Sequence, residues 1–257
     1  MSKCILKTSH INKSFGGVVA VKDFTFEINE GEIIAIIGPN GAGKTTIFNL
    51  ISKIYEADSG SIEFDGKDIT KKSQIEVARM GISRTFQNTR LFTGLNVMDN
   101  VKVALDFNSK YSLIEAMLLL PRRWKMEQET TRRTMECLEL LGLNQYAAQR
   151  PANLPYGIQR RVEIARALVS DPKVLMLDEP AAGLNPEEVF QLMDFLHEIR
   201  RKYPKTAILI IEHRMDMVMN MSEYIYVQDF GGTIAQGSPS EIQNNPVVLK
   251  AYLGEEE

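Results

Sequence analysis

The residues with the most chemistry to offer are Gly38-Pro39-Asn40-Gly41-Ala42-Gly43-Lys44-Thr45, which carry the phosphate-loop spacing G-x-x-x-x-G-K-[ST]. The glycines let the backbone curl until successive N–H groups point inward as a nest for an anion. A helix start placed behind them adds its partial positive charge. Lys44 can reach the β- and γ-phosphates of a nucleotide, and the Thr45 hydroxyl can ligate Mg²⁺. Such a loop works only between a strand and a helix, and both are written into the sequence. Gly31-Glu32-Ile33-Ile34-Ala35-Ile36-Ile37 reads as a buried-strand run launched by a glycine turn. Thr46-Ile47-Phe48-Asn49-Leu50-Ile51 places Ile47, Leu50 and Ile51 on a helix. The chain is expected to bind a nucleoside triphosphate.

A second constellation supports the first. Lys173-Val174-Leu175-Met176-Leu177-Asp178-Glu179 is a buried strand that ends in two acids, the Walker B pattern. Acids in that position emerge at the carboxyl edge of a sheet, where ligands bind. Asp178 is expected to hold Mg²⁺, commonly through water, and Glu179 to orient or deprotonate an attacking water. Thr206 to Ile211 is another buried strand, and it ends in the polar trio Glu212-His213-Arg214. Guanine specificity is disfavoured: Asn12-Lys13 is followed by Ser14-Phe15 and lacks the Asp of an Asn-Lys-x-Asp reader.

Bulk composition is that of an ordinary globular chain. It has 257 residues, 44% apolar and 25% charged, with a net charge of −3. That argues against disorder, and the basic pairs are scattered among acids rather than massed as in a dedicated nucleic-acid binder. Cys4 and Cys137 have no Cys-x-x-Cys companions, so no metal or disulfide framework is indicated. The opening residues do not read as a signal peptide, because Lys7 interrupts the short apolar run. No segment approaches the ~20 apolar residues that span a bilayer; no unbroken apolar run is longer than that of Ala116 to Leu120.

These motifs need a scaffold, and the flanking sequence supplies one. Residues 3–30 read as an antiparallel layer of short strands, Ile5–Thr8, Val18–Val21 and Phe24–Ile28. Phe15, before the Gly16-Gly17 turn, could place a ring on an exposed edge, and its default reading from the sequence is a core aromatic beside a hairpin. A further strand spans 58–66, a helical patch Ile75 to Met80, and a strand Gly81 to Gln87. Between 91 and 150 helix formers dominate, and Met126 to Leu141 stops at Gly142. Arg160 to Leu168 reads as a helix, and Asn185-Pro186-Glu187-Glu188 starts the next with an N-cap, a proline and acids in the first turn. That helix lines Val189, Leu192, Met193, Leu196 and Ile199 on one face, expected to pack on the sheet. The alternate methionines Met215 to Met221 read as packing. A hairpin at 224–235 and an amphipathic tail from Ser240 to Leu253 close the chain, with Glu255 to Glu257 as a frayed end.

From end to end the sequence resembles the nucleotide-binding subunits of ATP-binding-cassette transporters, closest to the ATPases of branched-chain amino-acid importers. The resemblance rests on the phosphate loop together with Arg84-Thr85-Phe86-Gln87, Glu179-Pro180-Ala181-Ala182-Gly183-Leu184-Asn185-Pro186, Ile211-Glu212-His213, Asn244-Asn245-Pro246 and Ala251-Tyr252-Leu253-Gly254. It implies one α/β domain with a P-loop NTPase (RecA-like) core, an antiparallel β-layer and an inserted α-helical subdomain. Residues 1–90 and 156–240 would form the core and β-layer, 91–155 the helical subdomain, and 241–257 a helical tail. It implies that Phe15 stacks on adenine, that Gly38, Pro39, Asn40, Gly41, Ala42, Gly43, Lys44, Thr45 and Thr46 hold the rest of ATP, and that Gln87 joins Thr45 and Asp178 around Mg²⁺. His213 would contact the γ-phosphate beside Glu179, and Ala182, Gly183, Leu184 and Asn185 would cross a dimer interface.

One motif departs from the family. Its Leu-Ser-Gly-Gly-Gln signature, which engages the ATP held by the opposite subunit, is here Leu154-Pro155-Tyr156-Gly157-Ile158. Pro155 has neither hydroxyl nor backbone N–H. Gly157 and the helix start behind it remain as donors toward a phosphate. The site completed by this segment is expected to be the weaker one, which favours a heterodimer with a second ATPase subunit. The other implied partners are two transmembrane permeases and, indirectly, a solute-binding protein, with the chain peripheral at the cytoplasmic face of the cell membrane. A transporter for urea or an exported solute, or a soluble ATPase acting on nucleic acid or ribosomes, are the alternatives. The single phosphate loop and the lack of sustained heptads weigh against the last.

Overall fold

β1 (Cys4–Phe15) and β2 (Val18–Asn29) form a long antiparallel hairpin rather than three short strands. The sequence looks interrupted because each strand carries an irregularity. His10 and Asp23 both take left-handed φ values, 52° and 51°, beside shifts in register, and the His10 ring meets the Asp23 carboxylate at 2.6 Å. Polar residues tolerate such bulges, and pairing resumes beyond them. The computed structural model describes residues 3–87, 90–106 and 121–253. The Ala116–Leu120 run, Gly254 and the Glu255–Glu257 end lie outside them.

The chain divides into two compact units, Met1–Gln87 with Lys173–Ala182 and Arg200–Glu257, and Asn88–Pro172 with Gly183–Ile199. In the first, β1 pairs on its other side with β4 (Ser59–Phe64), and β5 (Lys67–Asp68) completes an antiparallel sheet of order β2-β1-β4-β5. The second sheet joins β3 (Ile33–Ile37), β6 (Ile82–Arg84), β7 (Val174–Asp178), β8 (Ala207–Ile211), β9 (Tyr224–Asp229) and β10 (Gly232–Gly237) in the order β10-β9-β3-β8-β7-β6. The hairpin β9–β10 is antiparallel, while β9, β3, β8, β7 and β6 run parallel. Their carboxyl ends therefore emerge along one edge, and Asp178 and Ile36 both lie level with Ile211 of the strand between them.

β3, β7 and β8 are buried throughout, because this sheet is covered on both faces. Ile34 and Ile36 join a core with β1, β2, β4 and the helix α1 (Lys44–Ile51). The alternate residues Ala35 and Ile37 meet Val218 of α7 (Met215–Met221), Ile242 of α8 (Pro239–Gln243) and Val248 of α9 (Pro246–Leu253). The expected tail is thus two short helices, and the methionines of α7 pack as expected, with Met217 and Met221 buried. α2 (Gln74–Met80) opens with a capping box between Ser73 and Glu76.

The second unit is helical. It holds α3 (Val97–Asp106), α4 (Pro121–Leu140), α5 (Tyr156–Leu168) and most of α6 (Pro186–Lys202). α5 packs against α3 and α4, so residues 156–172 group with this unit and not with the core to which 156–240 was assigned. Gly142, at φ 63°, ends the turn after α4. Among the described residues no helix is long and apolar enough to cross a membrane.

Candidate nucleotide site

β3 gives way to Gly38, where only glycine fits: at φ 149° an added Cβ would stand 2.0 Å from the Gln228 carbonyl of β9. Gly43 is equally constrained, at φ 94° and 2.1 Å from the Ala20 carbonyl, and it forms the N-cap of α1. The first turn of α1 carries no acid and no side-chain cap, so neither competes there with an anion. Thr45 is exposed and Thr46 half-buried. The buried Lys44 ammonium donates to the carbonyls of Gly38 (2.7 Å) and Pro39 (2.8 Å). Burial lowers its pKa, while Glu179 and Asp178 act in the opposite sense, which puts those two acids within electrostatic reach of Lys44. Tyr252 of α9 also reaches the loop. Its hydroxyl bonds the Gly38 backbone, and burial pushes its pKa up to about 12.

Asp178 closes β7 with 1% of its surface exposed. Its Oδ2 accepts from Arg84 at 2.6 Å, and its backbone N–H donates to Thr85 Oγ1 at 3.2 Å. The same guanidinium donates to Asn49 Oδ1 (2.6 Å) and Ser52 Oγ (3.1 Å) at the end of α1 and lies over the rings of Phe48 (5.4 Å) and Phe86 (5.2 Å). Arg84 thus links the helix behind the phosphate loop to the acid expected at the metal. In the sequence Arg84 stands out only as part of the Arg84-Thr85-Phe86-Gln87 motif, and its partner Asp178 lies 94 positions away.

Glu179 follows in a left-handed conformation, φ 46°, which costs a non-glycine residue about 1–3 kcal/mol unless its surroundings impose it. They do: its N–H donates to Ile211 O at 2.9 Å, and its Oε2 accepts from Gln87 Nε2 at 2.9 Å. His213 lies beyond β8, half of its side chain exposed, with Nδ1 3.9 Å from Glu212 Oε2. Glu212 itself is fully buried. Thr45, Asp178 and Gln87 offer a hydroxyl, a carboxylate and an amide oxygen, the hard oxygen donors that suit Mg²⁺. Among the described residues no cluster of three His, Cys, Asp or Glu side chains is placed to hold a metal ion.

Phe15 is not a core aromatic. It is 42% exposed at the tip of the β1–β2 hairpin, edge-on to Tyr55 (5.2 Å) with the Lys13 ammonium 5.3 Å from its ring centroid. A ring so presented has a face free to meet another planar group.

In the helical unit the segment Leu154–Ile158 corrects a second expectation. α5 begins at Tyr156 and not at Arg160, with Pro155 as its N-cap and the Pro155 carbonyl accepting from Ile158 N (3.0 Å) and Gln159 N (3.1 Å). Proline is tolerated there because the first N–H groups of a helix have no intrahelical partner. Leu154 and Ile158 are buried, while Tyr156 is exposed under the Arg160 guanidinium. A Cβ on Gly157 would stand 2.5 Å from Glu188 Oε1, and one on Gly183 3.0 Å from the Tyr156 ring. The structure so brings Leu154–Ile158 against Gly183 and Leu184. Asn185 caps α6 in a reciprocal pair with Glu188, each backbone N–H 2.9 Å from the other's side chain.

Comparison with known proteins agrees with this geometry. A family model described as ABC transporter matches residues 21–182, and one described as branched-chain amino acid ATP-binding cassette transporter matches residues 233–257. The chain is 43% identical over 255 residues to the high-affinity branched-chain amino acid transport ATP-binding protein LivG of Salmonella typhimurium, covering 99% of this chain and 100% of that one. It is 40% identical over 255 residues to BraF of Pseudomonas aeruginosa, named for the same transport, with 99% and 100% covered. A crystal structure of the ADP conformation of an ATP-binding cassette of an ABC transporter superposes with a TM-score of 0.85 at 33% identity, covering 99% of this chain and 100% of that one. A phosphate loop, a strand ending in two acids and a full-length match of this order have one source: the chain belongs to the ABC transporter family, as an ATP-binding subunit that hydrolyses ATP.

Proposed function

We propose that this subunit powers the import of branched-chain amino acids. The observation that carries the reading is likeness over the whole chain, down to the last residues, to relatives named for that transport. Two copies of the cassette, or this chain and a second ATPase subunit, would sandwich ATP at the cytoplasmic face of the membrane, below two permeases fed by a solute-binding protein. Closure of the sandwich does the mechanical work and hydrolysis resets it.

Within the site, the loop N–H groups between Gly38 and Thr46, Pro39 excepted, and the Lys44 ammonium bind the phosphates, and Phe15 offers its exposed ring to adenine. Thr45, Asp178 and Gln87 would hold Mg²⁺, which supplies charge neutralisation on the phosphate oxygens. Glu179 takes the proton of the attacking water, with Gln87 orienting its carboxylate through the 2.9 Å bond. His213 faces the γ-phosphate. Leu154–Ile158 meets the ATP of the opposite subunit, and Ala182–Asn185 crosses the dimer. With Pro155 at the N-cap, that contact lacks the hydroxyl of the family signature, which favours a heterodimer.

The test is purification of the tagged chain from its native membranes, followed by uptake assays in vesicles. Two permeases and a second ATPase are expected to co-purify, and leucine, isoleucine and valine uptake to depend on ATP. Permeases that carry urea instead, or retention on ribosomes without permeases, would overturn the transport reading. A homodimer as active as the heterodimer would remove the argument from Pro155.

A further inference from the structure

One buried acid beside the nucleotide site has no part in the chemistry above. Glu212 is 0% exposed, and its carboxylate is given over to backbone. Oε1 accepts from Ala181 N at 2.7 Å; Oε2 accepts from His213 N at 3.0 Å and from Arg214 N at 3.3 Å. A carboxylate is costly to bury, and several charge-assisted bonds of this kind are what offset that cost.

The two groups of donors belong to different parts of the chain. Ala181 lies two residues beyond Glu179, on the turn that follows β7, and its bond to Glu212 spans 31 residues of sequence. His213 and Arg214 begin the turn that follows β8. The end of β8 therefore grips the Glu179 turn twice: Ile211 O accepts from Glu179 N, and Glu212 accepts from Ala181 N. A residue at φ 46° keeps that conformation only when its neighbours over-determine it, and these two bonds bracket it.

We propose that Glu212 is a positioning residue that locks the Glu179 turn and the His213 turn into one register. The acid and the imidazole then present to the γ-phosphate region as a single rigid pair. The inference rests on the roles given above to Glu179 and His213. It requires a carboxylate at 212, with acceptors at both ends. An amide in its place presents an N–H to one of the two turns whichever way it is flipped, and that turn is released.

The experiment is steady-state ATP hydrolysis by the full-length chain with its co-purified subunits, comparing wild type with Glu212→Gln, Glu179→Gln and His213→Ala. Glu212→Gln is expected to lower kcat by about 10- to 100-fold, the cost of a misplacement of order 1 Å. The KM for ATP should stay within about twofold, because the phosphate loop is untouched. A Glu212→Gln turnover near that of wild type, with the other two variants inactive, would overturn the proposal and leave the site reading standing. Loss of affinity together with kcat would mark Glu212 as merely structural and overturn it as well. If Glu179→Gln and His213→Ala both turned over normally, the site reading would fall and take this inference with it. Should Glu212→Gln not fold, amide exchange on the wild-type assembly decides. The Ala181, His213 and Arg214 amides are expected to exchange with one common opening rate, and independent rates for Ala181 and His213 would overturn the lock.

Discussion

Two buried arginine–carboxylate pairs sit in the two units of this molecule, alike in burial and unlike in surroundings. Arg84–Asp178 has side-chain exposures of 6% and 1%, and Arg160–Glu163 of 4% and 2%. The first lies at the carboxyl edge of a parallel sheet, one residue before a strained backbone position, and its arginine fans out to Asn49 and Ser52 as well. The second lies within one helix. Glu163 accepts from Arg160 at 3.1 Å and from the Arg90 backbone at 2.7 Å, and burial raises its pKa despite those bonds. Burial of an ion pair thus says little about its job. Position at a strand's end, beside a phosphate loop, says much more.

The comparison sharpens most at its chemical end. Glu179→Gln should lower ATP hydrolysis by about 10²–10⁴-fold with nucleotide binding retained, as removal of a general base does, in a single-turnover assay. A retained rate would leave the sheet edge no more catalytic than the helical unit. The pairs themselves come next. Arg84→Ala and Arg160→Ala should each destabilise in denaturant titration, by up to about 3–5 kcal/mol, because each removes a charged partner from a buried carboxylate. Only Arg84→Ala should also change the Mg²⁺ dependence of ADP binding by the folded protein; an equal change in both would erase the distinction drawn here.

Much of the sheet edge was legible in the sequence because its signals are local. Ile33–Ile37 and Val174–Asp178 are unbroken apolar runs, and the glycines of the phosphate loop stand where the backbone needs them. What stayed hidden depends on contacts between distant residues. Arg84 finds Asp178 across 94 positions, and Glu212 finds Ala181 across 31. The long first hairpin was hidden by polar bulges at His10 and Asp23. The start of α5 was hidden for another reason: proline and glycine are the poorest residues for a helix interior, yet Pro155 fits the N-cap and Gly157 is the residue that lets Glu188 approach. Exposure was also beyond the sequence, since nothing in Phe15-Gly16-Gly17 says which side of a hairpin meets solvent.

Smaller effects test the helical side and the background. Pro155→Ser restores a hydroxyl worth about 0.5–1.5 kcal/mol, so ATPase activity of the homodimer should rise roughly two- to tenfold. No gain would mean that the signature segment works without that contact. Last, Asp65 serves as a control remote from the site. Bonds from Lys173 and Lys3 hold its carboxyl at about 2, below the ordinary 3.8, so it favours the folded state above the ordinary value and loses that contribution as pH falls from about 4 toward 2. Asp65→Asn should make acid unfolding shallower in that window while turnover at neutral pH is unchanged.

The left-handed backbone at Glu179 has a consequence for anyone who evolves this protein in the laboratory. Glycine or asparagine would sit at φ 46° with less strain than glutamate, so either would raise the melting temperature while deleting the acid. A library screened for heat resistance alone would climb toward those substitutions and discard the motor while improving the scaffold. Selection has to be made on turnover, because at this position robustness and work pull in opposite directions.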